Sequence, residues 1–230
     1  IVEAVFEDRV IKGKVTREAE AVIDADAVFS SNTSTMPITG LAEASVRPEN
    51  FIGLHFFSPV HRMNLVEIIV GNKTGDAALA KAFDYVLAIG KTPIVVNDSR
   101  GFYTSRVFST YVKEGLELLI EGQNPRAIES AGLQAGMPMG PLEAGDMVGL
   151  NLALHISEQT ERDLKAEGKV YEWTPGERLL PKMVNELGRS GKASGKGFYD
   201  YDETGKRLWR GTYELAEPAD EKLNQMEMIE

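Results

Sequence analysis

The chain has 230 residues, 43% of them hydrophobic, which is enough for a sizeable core and predicts two modest domains. A formal net charge of −10 argues against nucleic acid or an anionic membrane as a partner, and no apolar run approaches the roughly 18 residues of a membrane span. The chain contains no cysteine, which excludes disulfides, thiolate metal sites and cysteine nucleophiles and predicts a soluble intracellular setting.

From residue 1 to about Asp98, short apolar runs alternate with helical periodicity, the signature of an α/β sheet. Residues 1–7 read as a strand, 15–24 as a helix with alanines and acids outward, 27–31 as a strand and 38–44 as a short helix. Ser31-Asn32-Thr33-Ser34 follows a strand directly, at the carboxyl edge where open α/β sheets place their ligands. Such small hydroxyl and amide groups suit either a loop cap or a site, and composition favours the cap. The chain opens inside an apparent strand, with Ile at position 1, which predicts a segment of a longer protein.

The next two strands are the most informative part of the chain. Residues 51–57 and 65–70 are β-branched and aromatic runs around a turn-prone segment, yet each carries a polar residue, His55 in the first and Glu67 in the second. A fold-back about His61 sets His55 opposite Glu67, because 55 and 67 lie at equal distance from 61. Opposed residues of an antiparallel pair have Cβ atoms roughly 4.5–5.5 Å apart, within reach of a His–carboxylate hydrogen bond. A carboxylate so placed fixes the imidazole tautomer, as a general base requires. Spacing alone does not separate that reading from a core histidine satisfied by a neighbour.

Residues 76–89 form an amphipathic helix and 92–97 a last strand. Strands then stop, and residues 103–121 read as a long helix with one buried stripe. Asn124-Pro125 starts a second helix in N-cap/N1 order, and the turn Gly136-Met-Pro-Met-Gly-Pro141 precedes helices over 142–148, 150–165 and 177–187. The change near residues 98–101 is the predicted boundary, and the polar, acidic stretch 209–230 reads as a linker. No G-x-G-x-x-G follows a strand. Ser190-Gly-Lys-Ala-Ser-Gly-Lys196-Gly197 lacks the spacing of a phosphate loop and reads instead as the approach to a hairpin. Three histidines without cysteine make no convincing metal cluster, and His155 on a helix stripe reads as structural.

Taken in order, Val2-Glu-Ala-Val-Phe-Glu7-Asp8, Ser31-Asn-Thr-Ser34, His55-Phe-Phe-Ser58-Pro, Leu65-Val-Glu67, Asn97-Asp-Ser-Arg-Gly-Phe-Tyr, Gly136-Met-Pro-Met-Gly-Pro and Ser194-Gly-Lys-Gly-Phe-Tyr resemble the L-3-hydroxyacyl-CoA dehydrogenases of fatty-acid β-oxidation. Asp98-Ser-Arg-Gly-Phe-Tyr-Thr-Ser-Arg and Arg207-Leu-Trp resemble most the multifunctional α-subunits of fatty-acid oxidation complexes.

The resemblance implies NAD-dependent oxidation of L-3-hydroxyacyl-CoA, with His55 as general base and Glu67 as its partner. It places Ser34 and Ser105 on the substrate, and Glu7, Lys12 and Asn32 on the cofactor side. Ser58 and Ser105 depart from single-function members, which carry Asn at these positions. The implied fold is the later half of a Rossmann-like NAD-binding domain over residues 1–98, then a helical substrate and dimerisation domain over 99–208. Residues 209–230 would lead to a further helical repeat. The glycine turn that grips the pyrophosphate would lie upstream, so the segment alone is expected to bind NAD⁺ weakly. The implied partners are an acyl-CoA substrate, a second copy or a thiolase subunit, without nucleic acid or metal, and the implied location is bacterial cytoplasm, a mitochondrion or a peroxisome. Two alternatives stay open at this level: an inactive fragment, and a helical assembly module of the same complex.

Overall fold

The computed structural model describes residues 1–166 and 168–229. Contacts divide the chain into two units, Ile1–Val107 and Phe108–Glu230.

The first unit is built on a five-stranded sheet ordered β1 (Val2–Glu3), β2 (Phe29–Ser31), β3 (Phe51–Phe56), β4 (Leu65–Val70) and β5 (Thr92–Asn97). Neighbours are parallel except β3 and β4, which form an antiparallel hairpin with His55 opposite Glu67. Strand alternation assigns the two faces. Ile52, Leu54, Val66 and Ile68 bury one face with Ala82 and Val86 of α3 (Asp76–Ala88). The opposite face buries Phe29, Phe51, Ile69 and Phe102 against Ile38 and Leu41 of α2 (Ile38–Leu41). His55 and Glu67 belong by register to this second face, among apolar neighbours.

β1 is shorter than the expected strand over 1–7, because Val5 turns its amide onto the Glu3 carboxylate 3.1 Å away. Helix α1 (Arg9–Glu20) correspondingly starts six residues before the periodicity suggested. Its start is set by Asp8, whose carboxylate accepts from the Val10 and Ile11 amides at 2.8 and 2.9 Å.

In the second unit, α4 (Thr104–Ile120), whose first turn belongs to the first unit, α5 (Pro125–Gln134), α6 (Pro141–Val148) and α7 (Leu150–Ala166) surround a core of Leu116, Leu119, Ile128, Leu142, Leu150, Leu154, Met183 and Phe198. Asn124 caps α5 through its side chain, with Pro125 at N1. The expected helix over 177–187 is a short α-turn, α8 (Leu179–Pro181), running into a π-turn over Lys182–Glu186. A hairpin of β6 (Tyr199–Asp202) and β7 (Gly205–Leu208) follows. The stretch read as a linker folds back on this unit: the Ala219 amide donates to the Gly122 carbonyl and the Leu223 amide to Gln123. No helix among the described residues is long and apolar enough to cross a membrane.

Candidate active site

Three parallel strands end together, and polar side chains collect at their carboxyl edge. Glu3, at the end of β1, is buried and accepts from the Ser31 hydroxyl and from Lys12 Nζ, the latter at 3.0 Å. Lys12, only 2% exposed on the inner face of α1, also reaches Glu7 Oε2 at 3.2 Å. A buried ammonium needs such partners, since each unpaired charge taken from water costs several kcal/mol. Glu7 in turn collects the loop after β2: its Oε1 accepts from the Thr33 hydroxyl and from the Ser34 and Thr35 amides at 3.1 and 3.3 Å. Burial pushes Glu7 up, but the Thr33 hydrogen bond and the Lys12 charge outweigh it and hold the carboxyl below its ordinary value.

The far end of the same loop is held by a residue the sequence did not single out as functional. Asp98, just past β5, accepts from the Ile38 and Thr39 amides at 2.7 Å each and caps α2. Asn32, expected on the cofactor side, ties the loop to β3: its Oδ1 accepts the Phe56 amide at 2.8 Å, one residue beyond His55. The Ser34 side chain is exposed and makes no hydrogen bond to another described residue.

His55 and Glu67 meet as their spacing suggested. Nδ1 of His55 and Oε2 of Glu67 lie 2.7 Å apart, with His55 5% exposed and Glu67 fully buried. A carboxylate can only accept, so Nδ1 carries the proton and Nε2 is left with its lone pair. Nε2 has no hydrogen-bond partner among the described residues. Phe57 and Phe102 flank the ring, with centroids 4.4 and 6.0 Å away. Glu67 Oε1 accepts from the Tyr103 and Thr104 amides at 3.0 and 2.8 Å. Burial pushes Glu67 up, yet the hydrogen bonds from His55 and from the Thr104 amide prevail and hold it below its ordinary value, ionised at neutral pH.

Ser105 lies in the first turn of α4, half-buried, one residue after an amide that binds Glu67, and makes no hydrogen bond of its own to a described residue. The geometry thus joins His55 with Glu67, and Ser34 with Glu7 and Lys12, but forms no direct link from Ser105 to either group. Thr33, Asp98 and the amides of Tyr103 and Thr104 were missed. Asp98 alone left a readable signal, an acid ending a strand before Gly101.

The family model described as 3-hydroxyacyl-CoA dehydrogenase, NAD binding domain, matches residues 1–99, and the one described as 3-hydroxyacyl-CoA dehydrogenase, C-terminal domain, matches residues 101–201. The fatty acid oxidation complex subunit alpha of Shewanella sp. (strain W3-18-1) is 40% identical over 211 residues, covering 90% of this chain and 28% of that protein. The chain therefore spans little more than a quarter of the length of the curated relatives it matches. Among solved structures, FadB2 of M. tuberculosis shares 33% identity at a TM-score of 0.75, covering 87% of this chain and 70% of that one. The (S)-3-hydroxybutyryl-CoA dehydrogenase PaaH1 of Ralstonia eutropha shares 33% at a TM-score of 0.76, covering 88% and 70%. On these matches and this fold, the chain belongs to the 3-hydroxyacyl-CoA dehydrogenase family.

Proposed function

We propose that this chain performs the dehydrogenase step of fatty-acid β-oxidation, the oxidation of L-3-hydroxyacyl-CoA to 3-ketoacyl-CoA with NAD⁺. The observation that carries the reading is the buried 2.7 Å His55–Glu67 pair at the ligand-receiving edge of the sheet. Family membership supports the substrate class.

The donor set at this edge suits the reactive end of a dinucleotide. Glu7 keeps 37% of its side chain exposed, and Ser34 offers a free hydroxyl on the loop that Glu7 organises. Glu7 would touch the cofactor, while Lys12 and Asn32 would act by holding Glu7 and the loop in place. Bound NAD⁺ would supply the hydride acceptor for C3 of the substrate. His55 Nε2 takes the proton of the substrate hydroxyl, and Glu67 stabilises the imidazolium so formed without itself becoming protonated. Ser34 donates to the reacting oxygen, and Ser105 contacts the substrate from the first turn of α4. As part of a protein organised like the fatty acid oxidation complex subunit alpha, the chain would work in the cytoplasm beside a thiolase subunit or a second copy.

The test is NADH production from L-3-hydroxyacyl-CoA by the full-length protein and its His55→Ala variant. A general base contributes about 10²–10⁴-fold, so turnover should fall by that factor with the fold intact. Near-normal turnover in His55→Ala would require another base and overturn the assignment.

A further inference from the structure

Glu67 sits between two groups that the dehydrogenase reading does not connect. One carboxylate oxygen faces His55; the other is held by the amides of Tyr103 and Thr104. Those amides are the first of α4, a 17-residue helix whose first intrahelical bond runs from the Val107 amide to the Tyr103 carbonyl. Tyr103 is thus the N-cap position and Thr104 is N1, where helical amides have no partner within the helix and favour negative charge. Glu67 reaches them from β4, 36 and 37 residues away in sequence.

The turn that presents these amides is unusual. Gly101 has φ +72° and Phe102 has φ +47°, so a bulky residue occupies the left-handed region next to the glycine. A side chain is disfavoured there, and such outliers cluster where the surrounding structure needs the geometry they give. Phe102 is buried, and its ring approaches the His55 ring at 6.0 Å. The Thr104 hydroxyl is buried as well and, though it lacks strict hydrogen-bond geometry to any described residue, it helps hold Glu67 below its ordinary value. It stands at the same helix start, next to the amide on Glu67.

We propose that the start of α4 is a positioning element for the base: Gly101 and Phe102 turn the Tyr103 and Thr104 amides onto Glu67 Oε1, and this contact aims Oε2 at His55 Nδ1. Thr104 is accordingly a positioning residue, acting through Glu67 and touching neither substrate nor cofactor. The contact fixes the rotation of the carboxylate, which a lone His–Glu bond between two strands leaves free. It also gives the last turn before the helix a part in the chemistry of the sheet. The proposal deepens the dehydrogenase reading and rests on it.

A substitution at N1 isolates the contact. Exchanging the Thr104 backbone N–H for an ester oxygen deletes the hydrogen that binds Glu67 while keeping the side chain, whereas proline would set its Cδ in the place of that hydrogen, against Oε1. Hydrogen bonds to charged groups set the scale, and kcat of the full-length enzyme should fall on the order of 10- to 100-fold. KM for substrate and NAD⁺ should stay put, because neither ligand is touched. Thr104→Ser, which keeps amide and hydroxyl, should retain most of the kcat that the ester loses. Gly101→Ala supplies a second variant, since an added Cβ would meet only ordinary contacts at 3.6 and 3.7 Å but would sit at φ +72°. It should lower kcat severalfold with KM again unchanged. His55-dependent turnover with both variants at wild-type kcat would overturn this proposal alone. Equal losses in kcat and ligand affinity would also overturn it, by showing a general structural role. Turnover that survives His55→Ala would overturn the dehydrogenase reading and this proposal with it.

Discussion

At the scale of single residues, Glu67 divides its two oxygens between two kinds of donor, of which only the backbone amides are fixed in that role. His55 Nδ1–H faces one oxygen and two backbone amides face the other. Glu67→Gln keeps the shape but turns one acceptor into an NH₂ donor; with the amides holding the remaining oxygen, the NH₂ faces His55 Nδ1, and either that bond is lost or the ring shifts to the Nε2–H tautomer, which cannot act as the base. We expect kcat to fall by about 10- to 100-fold, less than in His55→Ala, because the ring can still reach the basic tautomer. Steady-state kinetics on the two variants side by side decide the ranking; a full-rate Gln variant would show that the base needs no carboxylate. The pH dependence has a definite sign. A carboxyl held below its unfolded value of 4.5 contributes stability that is present above that pH and lost as pH falls through the folded value. Acid unfolding of the wild type should therefore show a loss below pH 4.5 that Glu67→Gln lacks. His55 and Glu67 were legible because a polar residue inside a buried strand stands out and hairpin symmetry supplies its register. The roles of Thr33, Asp98 and the Tyr103 and Thr104 amides were not. They depend on hydrogen bonds between groups 26 to 60 residues apart, in part through amides that nearly every residue possesses.

At the scale of elements, periodicity located the strands β3 to β5 and the helices α3 to α7, and end-capping decided what periodicity did not. The Asp8 cap starts α1 early, and Val5 bonding back to Glu3 ends β1 after two residues. The hairpin β6–β7 is held by one carboxylate in the same way. Asp146 is fully buried and accepts from the Phe198 and Tyr199 amides at 2.8 Å and from the Tyr201 hydroxyl at 3.0 Å. Gly197 has no alternative here, since a Cβ would lie 1.9 Å from Asp146 Oδ1. Burial is the largest influence on this carboxyl and pushes it from 3.8 up to about 6 despite those donors. The folded chain therefore binds the proton more tightly than the unfolded one, so stability falls as pH rises from about 4 to about 6 and is level above. Asp146→Asn should abolish that slope. It should also cost about 1–3 kcal/mol at neutral pH, because one of the two amides would face an NH₂ group. Denaturant midpoints of both forms on either side of pH 6 test it, and a persisting slope in the Asn variant would assign the proton elsewhere.

At the scale of the whole molecule, the composition changes near residues 98–101, whereas contacts divide the chain after Val107. The difference has a physical source: the first turn of α4 stays with the sheet because Glu67 binds its amides, although its periodicity belongs to the helical run. Within the sheet unit, the two faces carry different loads. Ile68 is fully buried on the α3 face with Ile52, Leu54, Val66 and Val86, and strand alternation turns it away from the face that holds His55 and Glu67. Ile68→Ala should cost about 2–5 kcal/mol through lost burial and the cavity left behind. It should leave kcat close to wild type wherever the variant is still folded, because no contact of the pair is removed. His55→Ala should lose turnover far beyond any loss of folded protein, although leaving the buried Glu67 carboxylate without that donor costs stability as well. Urea midpoints and turnover measured on both variants separate the two faces, since only Ile68→Ala should lose stability and keep its turnover. A folded Ile68→Ala variant that loses turnover as His55→Ala does would mean that α3 packing sets the hairpin register, and that the two faces of β4 act as one unit.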